Sequence, residues 1–220
     1  MKIQAIQAAA KANFSRFKPG SNKGFYESYF IRANHPTEKK AFWIRYTVFA
    51  PKDEPQGNRG ELWAIYFDGE EIYPAKTEFP IETCKFPRKH FFVELADNFI
   101  NSAQAKGQAG NLSWKLNFNS KMAPLFLLPK QLYIGPFPKA KSLVAQPFAQ
   151  FKGHLKVGNK KIKIDNWVGS QNHNWGEEHT DLYAWGQVAG FDNSPDTFLE
   201  LVTAKLIIKG METPFMTILV

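Results

Sequence analysis

The sequence predicts an all-β, antiparallel fold, a barrel or a sandwich, on three observations. Large rings are abundant: twenty Phe, seven Tyr and six Trp make 15% of the 220 residues, and such side chains favour half-buried pleated surfaces. Segment after segment alternates apolar and polar residues with period two, which places one set of side chains on each face of a strand. Gly, Pro, Asn and Asp clusters separate these segments, and little of the chain carries a helical period.

The elements follow in order. Residues 1–12 are rich in Ala and Gln and read as a short helix. Phe25–Arg32 and Phe42–Phe49 read as strands, the second stopping at Pro51. Asp53–Gly60 is a connecting loop. Leu62–Phe67 follows and stops at Asp68-Gly69, a hairpin signal, so 42–49 and 62–67 should form an antiparallel pair. Phe91–Leu95 and Leu112–Phe118 are the next strands. In the latter, Leu112, Trp114, Leu116 and Phe118 share one face and Ser113, Lys115 and Asn117 the other, as in a sheet with one wet face. Asn101–Asn111 is polar, small and Gly-bearing, and reads as loop. Five prolines crowd 124–147; lacking an N–H, they predict irregular or edge structure there. Strands resume at Phe148–Val157, Lys161–Ile164, Leu182–Gly190 and Phe198–Ile208, and the chain closes on the apolar run Phe215–Val220.

Composition narrows the function classes. The formal net charge is +8, but the densest basic cluster, Lys152, Lys156, Lys160, Lys161 and Lys163, surrounds a predicted hairpin and reads as a solvated face. No nucleic-acid motif accompanies it, so no nucleic-acid partner is expected; contact with a membrane surface remains compatible with the charge. Cys84 is the single cysteine, so no internal disulfide forms. The N-terminus lacks the apolar core of a signal peptide, and no window approaches the ~18–20 apolar residues of a membrane-spanning helix. A cytoplasmic location suits these features. No phosphate loop, nucleophile elbow or dinucleotide fingerprint is present, and His173 and His179 lack a third zinc ligand at a workable spacing. No cofactor or metal is therefore expected.

The densest chemistry lies in 165–187, which holds three of the six Trp and two of the five His. If 171–175 is extended, Gln171, His173 and Trp175 point one way. Tyr183, Trp185 and Gln187 share a face of the next strand. If the two faces coincide, they make a wall of indoles, phenol, imidazole and amides that can hold an apolar molecule and orient it. Each residue taken singly also has a purely structural reading, with the indoles filling the core and Asn172 and Asn174 closing a turn.

The motif Trp167-x-Gly169-x-Gln171-x-His173-Asn174-Trp175-Gly176, followed by Tyr183-Ala184-Trp185, resembles the AttH-like and carotenoid 1,2-hydratase superfamily. Tocopherol cyclases and lipocalin-like Diels–Alderases are similar at greater distance. The resemblance covers most of the chain in strand order, but only the His-Asn-Trp-Gly region is specific. It implies a lipocalin-like (calycin) antiparallel β-barrel, the first of a tandem pair. Residues 1–24 would be an N-terminal extension or helix, 25–210 the barrel, and 211–220 the start of a link or strand towards a second barrel. It further implies an apolar ligand, an isoprenoid, polyene or fatty-acyl compound, with Trp167, Gln171, Asn174, Trp185 and Gln187 as binding residues.

The resemblance also admits a cofactor-independent hydratase, cyclase or isomerase. His173, or a carboxylic acid of raised pKa, would protonate an alkene. Trp175 would face the resulting cation, a contact worth about 2 kcal/mol when desolvated. Tyr183 or Gln187 would hold the water. The hydratases share a Tyr-x-Asp pair on the following strand. Here that stretch is Thr197–Thr203, and Glu200 is the only acid able to substitute. The departure favours a binding protein over a carotenoid hydratase.

Overall fold

The computed structural model describes residues 11–20, 23–133, 137–180, 182–208 and 210–220. The helix expected over 1–12 lies almost wholly outside the described residues.

Nine strands lead up to the Pro-rich stretch: β1 (Phe25–Asn34), β2 (Lys40–Ala50), β3 (Arg59–Asp68), β4 (Glu71–Pro80), β5 (Cys84–Lys85), β6 (Phe92–Leu95), β7 (Asn98–Asn101), β8 (Gln104–Ala109) and β9 (Leu112–Asn119). After the short β10 (Leu125–Phe126) come two long strands, β11 (Ala140–Val157) and β12 (Lys160–Gly176). Then follow β13 (Leu182–Phe191), β14 (Ser194–Lys205), β15 (Ile207–Ile208), β16 (Met211–Glu212) and β17 (Met216–Leu219).

The expected barrel is present. One antiparallel sheet runs β4-β3-β2-β1-β12-β11-β9-β8-β7-β6-β5, with β10 beside β11. It curls until β3 and β4 lie against β6 and β8, leaving it nearly closed. At that seam Gly60 has no room for a side chain: a Cβ would sit 2.6 Å from Cys84 Sγ and 2.8 Å from Leu95. A separate three-stranded sheet, β13-β14-β17, lies against the outside of β11 and β12, and β15 pairs only with β16.

The alternation seen in the sequence decides what fills the barrel. Phe42, Ile44 and Tyr46 of β2 meet Leu62, Ala64 and Tyr66 of β3, with Trp114, Leu116, Phe151 and Trp167 opposite. Burying each such large apolar side chain contributes roughly 1.5–3 kcal/mol. Two polar tips within the core are paired: Tyr46 donates to the Lys106 carbonyl (2.9 Å) and accepts from Trp114 Nε1 (2.8 Å).

Two loop expectations are corrected. The stretch 101–111 contains β8, whose inward residues are Ala105, Gly107 and Ala109. Their smallness hid the strand, and it has a cause: a Cβ on Gly107 would lie 2.6 Å from the Trp114 ring. The Pro-rich stretch is also more regular than expected, because β11 begins at Ala140 and passes Pro147 on irregularities between Val144, Gln146 and Ala149. That break in the ladder is where a strand tolerates a proline. Strand β4, which carries Pro74 and Pro80, was not signalled beyond its hairpin turn; it is an edge strand, where proline costs no ladder bond. Among the described residues no helix is long and apolar enough to cross a membrane.

Candidate functional site

The pleat of β12 sends Trp167, Gln171, His173 and Trp175 into the barrel, and Ser170, Asn172 and Asn174 to its outside. In register, His173 lies opposite Tyr29, Trp175 opposite Glu27 and Gln171 opposite Ile31. The motif's Gly169 is required by close approach, because a Cβ there would run into the Arg32 carbonyl oxygen on β1.

His173 is completely buried. Its ring stacks on Tyr29 (4.2 Å) and lies tilted against Trp175 (4.4 Å). Nε2 lies 2.9 Å from Glu27 Oε1, and Nδ1 lies 3.2 Å from the Ala12 carbonyl oxygen. Glu27 is equally buried and saturated with donors. Oε1 also accepts from the Arg16 N–H (2.7 Å) and the Tyr29 hydroxyl (3.2 Å); Oε2 accepts from the Ser15 hydroxyl (2.7 Å) and the Phe17 N–H (3.2 Å). Residues 11–17 therefore form a plug across this end of the barrel. Asn13 Nδ2 ties the plug to Gln171 Oε1 at 3.0 Å, and the Arg16 guanidinium sits 5.3 Å from the centre of the Trp175 ring.

The electrostatics follow from this packing. Burial pushes the Glu27 carboxyl up, but the bond and charge of His173, with the Ser15 and Arg16 donors, outweigh it and hold Glu27 below its usual range. For His173 burial wins: it lowers the imidazole pKa against the pull of Glu27 and Ala12. The neutral ring donates from Nε2 to Glu27 and leaves Nδ1 facing a second acceptor. A further proton would complete that contact too.

Beside the plug an open-mouthed cavity of about 750 Å³ enters the same end of the barrel. Phe14, Phe91, Phe92, Pro124 and Ala145 give it apolar walls; Asn13, His90, Asn101, Gln104 and Gln146 supply polar groups. Phe91 stacks on Tyr29 at 5.1 Å and Tyr29 on His173, so these two rings stand between the cavity and the imidazole.

The expected single wall does not form. Tyr183, Trp185 and Gln187 lie on β13, outside the barrel, over the opposite face of β12 and β1. There the Ser170 hydroxyl lies 2.6 Å from both Asn172 Oδ1 and Gln187 Oε1, and Arg32 Nε also donates to Gln187. Gln187 Nε2 and Trp185 Nε1 (2.7 Å) donate to Glu200, which is fully buried on β14. Burial raises the Glu200 pKa, only partly offset by Trp185, Gln187 and Arg32. Tyr183 is mostly exposed. Asn174 accepts from Ser142 on the outer face at 2.7 Å. Trp167 sits among Phe42 and Phe151 in the filled part of the core, about 20 Å along the strand from His173.

The residues that sequence reasoning missed are Glu27, Tyr29, Phe91, Arg32 and the plug. Glu27 had a signal: it is an acid on the face of β1 that otherwise carries Tyr29 and Ile31, and unpaired acids are rarely buried. The plug had none, since its links to β12 span more than 150 positions.

No family model matches the chain. Two uncharacterized proteins of Mycobacterium tuberculosis, MT0513 of strain CDC 1551 / Oshkosh and Rv0493c of strain ATCC 25618 / H37Rv, are each 24% identical over 181 residues, covering 82% of this chain and 53% of theirs. The chain thus spans about half the length of the curated relatives it matches. Among solved structures, one described as a putative AttH (NE1406) from Nitrosomonas europaea matches with a TM-score of 0.64 at 12% identity, covering 94% of this chain and 72% of that one. Kievitone hydratase from Nectria haematococca matches with a TM-score of 0.55 at 14% identity, covering 91% and 65%. At these identities the likeness shows the fold, the AttH-type lipocalin-like barrel expected from the His-Asn-Trp-Gly region.

Proposed function

We propose, from the AttH-type barrel as premise, that this protein binds an apolar small molecule, an isoprenoid, polyene or fatty-acyl compound, in the mouth of its barrel. The observation that carries this reading is the cavity between the plug and β6–β8. Its volume of about 750 Å³ falls within the range of small-molecule sites, as does its pattern of aromatic walls with a few polar groups. The Glu27–His173 pair lies beneath it as a rigid polar floor. Phe91 and Tyr29 separate that floor from the cavity, so His173 supports the pocket and reaches a ligand only if the plug moves.

Titration with phenylnaphthylamine, a neutral apolar dye whose emission rises on leaving water, tests the reading. Saturable binding in the wild type, lost in Ala145→Phe with an unchanged far-UV spectrum, supports the mouth as the site. Equal binding in the two proteins would overturn it. Native mass spectrometry of the protein from its own source, with solvent extraction, then names the compound class.

A cofactor-independent hydratase, cyclase or isomerase is the second reading. It is favoured by Glu200, a buried carboxyl whose raised pKa suits proton donation, and by the likeness of fold to a hydratase. Trp175 is less suited to stabilising a cation, since Arg16 already covers its ring. Turnover of a polyene by wild type and not by Glu200→Gln would establish this reading.

A further inference from the structure

Buried polar atoms without a partner are few among the described residues, and three of the six are donors on a single face of the barrel: Arg32 Nη2, Arg45 Nε and Asn172 Nδ2. Arg45, Phe30 and Asn172 stand in one register line across β2, β1 and β12, and Arg32 is the next outward residue on β1. Diagonal neighbours of this kind lie roughly 7–8 Å apart at the backbone, so both guanidiniums can reach the space above Phe30. Aromatic rings frame that space. Arg45 lies between Trp43 (5.4 Å) and Trp63 (5.3 Å), and Phe30 meets Trp43 and the edge of Trp185, each at 6.1 Å. Trp43, Arg45 and Trp63 all keep part of their surface in water. Leaving a buried donor unmet is costly, the more so when it is charged. A guanidinium has donors only, so nothing but an incoming acceptor relieves it.

We infer that this outer face, between β13 and the Trp43–Arg45–Trp63 ladder, is a second binding site, one that takes a flat unsaturated molecule bearing a carboxylate. The rings would stack on its body, and Arg32 and Arg45 would grip the oxyanion. The two nearby acids do not oppose it strongly. Glu61 is already engaged by Arg59 (2.9 Å) and Lys76 (3.3 Å), and burial drives Glu200 towards its neutral form. The site is separate from the mouth cavity, on the opposite side of the sheet, and does not depend on what the mouth binds.

Anilinonaphthalene sulfonate, an aromatic anion, is compared with phenylnaphthylamine, the same ring system without the charge. In Arg45→Met and in Arg32→Met the anion's affinity falls about tenfold while the neutral dye's stays within twofold. Anion affinity unchanged in both variants, or both dyes weakened alike, overturns the inference. Should either substitution prevent folding, the wild type decides: the arginine Nε–H signals of Arg32 and Arg45 shift on titration with the anion and not with the neutral dye. Arginine signals unmoved at saturating anion overturn it equally. The Ala145→Phe variant keeps the two readings apart, because it removes neutral-dye binding at the mouth and leaves the arginine response intact.

Discussion

His173 Nε2 meets Glu27 Oε1 at 2.9 Å in a part of the barrel that solvent does not reach. The pair is the junction of three elements, β1, β12 and the plug. The neutral imidazole and four other buried or half-buried donors share the Glu27 carboxylate, and removing it leaves them without an acceptor. Glu27→Ala should therefore lower unfolding stability by about 3 kcal/mol, measured by urea denaturation. In a double-mutant cycle with His173→Ala the two losses should fall well short of additive. Strict additivity would show that the contact carries no coupling.

Acid should weaken the protein in two stages. The His173 pKa is depressed in the fold, so below about 6.5 the unfolded chain takes up the proton first and stability declines. Glu27 is also depressed; its contribution is complete above its ordinary value of 4.5 and is lost as pH falls through its lower native value. Glu200 works in the opposite sense. Its raised pKa gives a contribution that is full below 4.5 and fades as pH rises through the native value, so it offsets part of the loss. Denaturation midpoints at pH 7.5, 6 and 5 should fall in that order, and fall less steeply in His173→Phe.

Gly107 and Trp114 share one space. Gly107→Ala should destabilise by about 1–3 kcal/mol through overpacking, since the new Cβ lies 2.6 Å from the indole. Trp114→Phe should cost less in the Gly107→Ala background than in the wild type. Thermal melts of the four proteins check this, and a wild-type melting temperature for Gly107→Ala would refute the assignment.

The link from Asn13 to Gln171 holds the plug in place. Gln171→Leu should loosen it without unfolding the barrel, and limited trypsin digestion reads this directly as faster cleavage after Arg16. Cleavage at the wild-type rate would mean that the Glu27 and His173 contacts secure the segment without Gln171.

The barrel was legible because its inward residues are large and alternate strictly, as in Phe42–Phe49 and Leu112–Phe118. Strand β8 was not, since its inward Ala105, Gly107 and Ala109 exist to accommodate Trp114 and carry no hydrophobic signal of their own. The site was legible by half. Period two placed Gln171, His173 and Trp175 together correctly, and placed Tyr183, Trp185 and Gln187 together correctly. It could not show that the sheet passes between the two sets, because that depends on which strands pair, and β13 pairs with β14 and not with β12. Glu200 owes its raised pKa to burial and Glu27 its lowered one to the donors gathered around it, both properties of the assembled fold.

The plug's two anchors on β12 lie 158 and 161 positions along the chain from Asn13 and Ala12. A ribosome adding about 5–20 residues per second needs roughly ten to thirty seconds to cover that interval. Throughout it Phe14 and Phe17 have emerged and β1 has no β12 to pair with. Such high contact order predicts slow folding. The nascent amino-terminal third is therefore the stretch on which a chaperone has most to do, and translational pausing before residue 167 should lower the yield of folded protein more than pausing after residue 176.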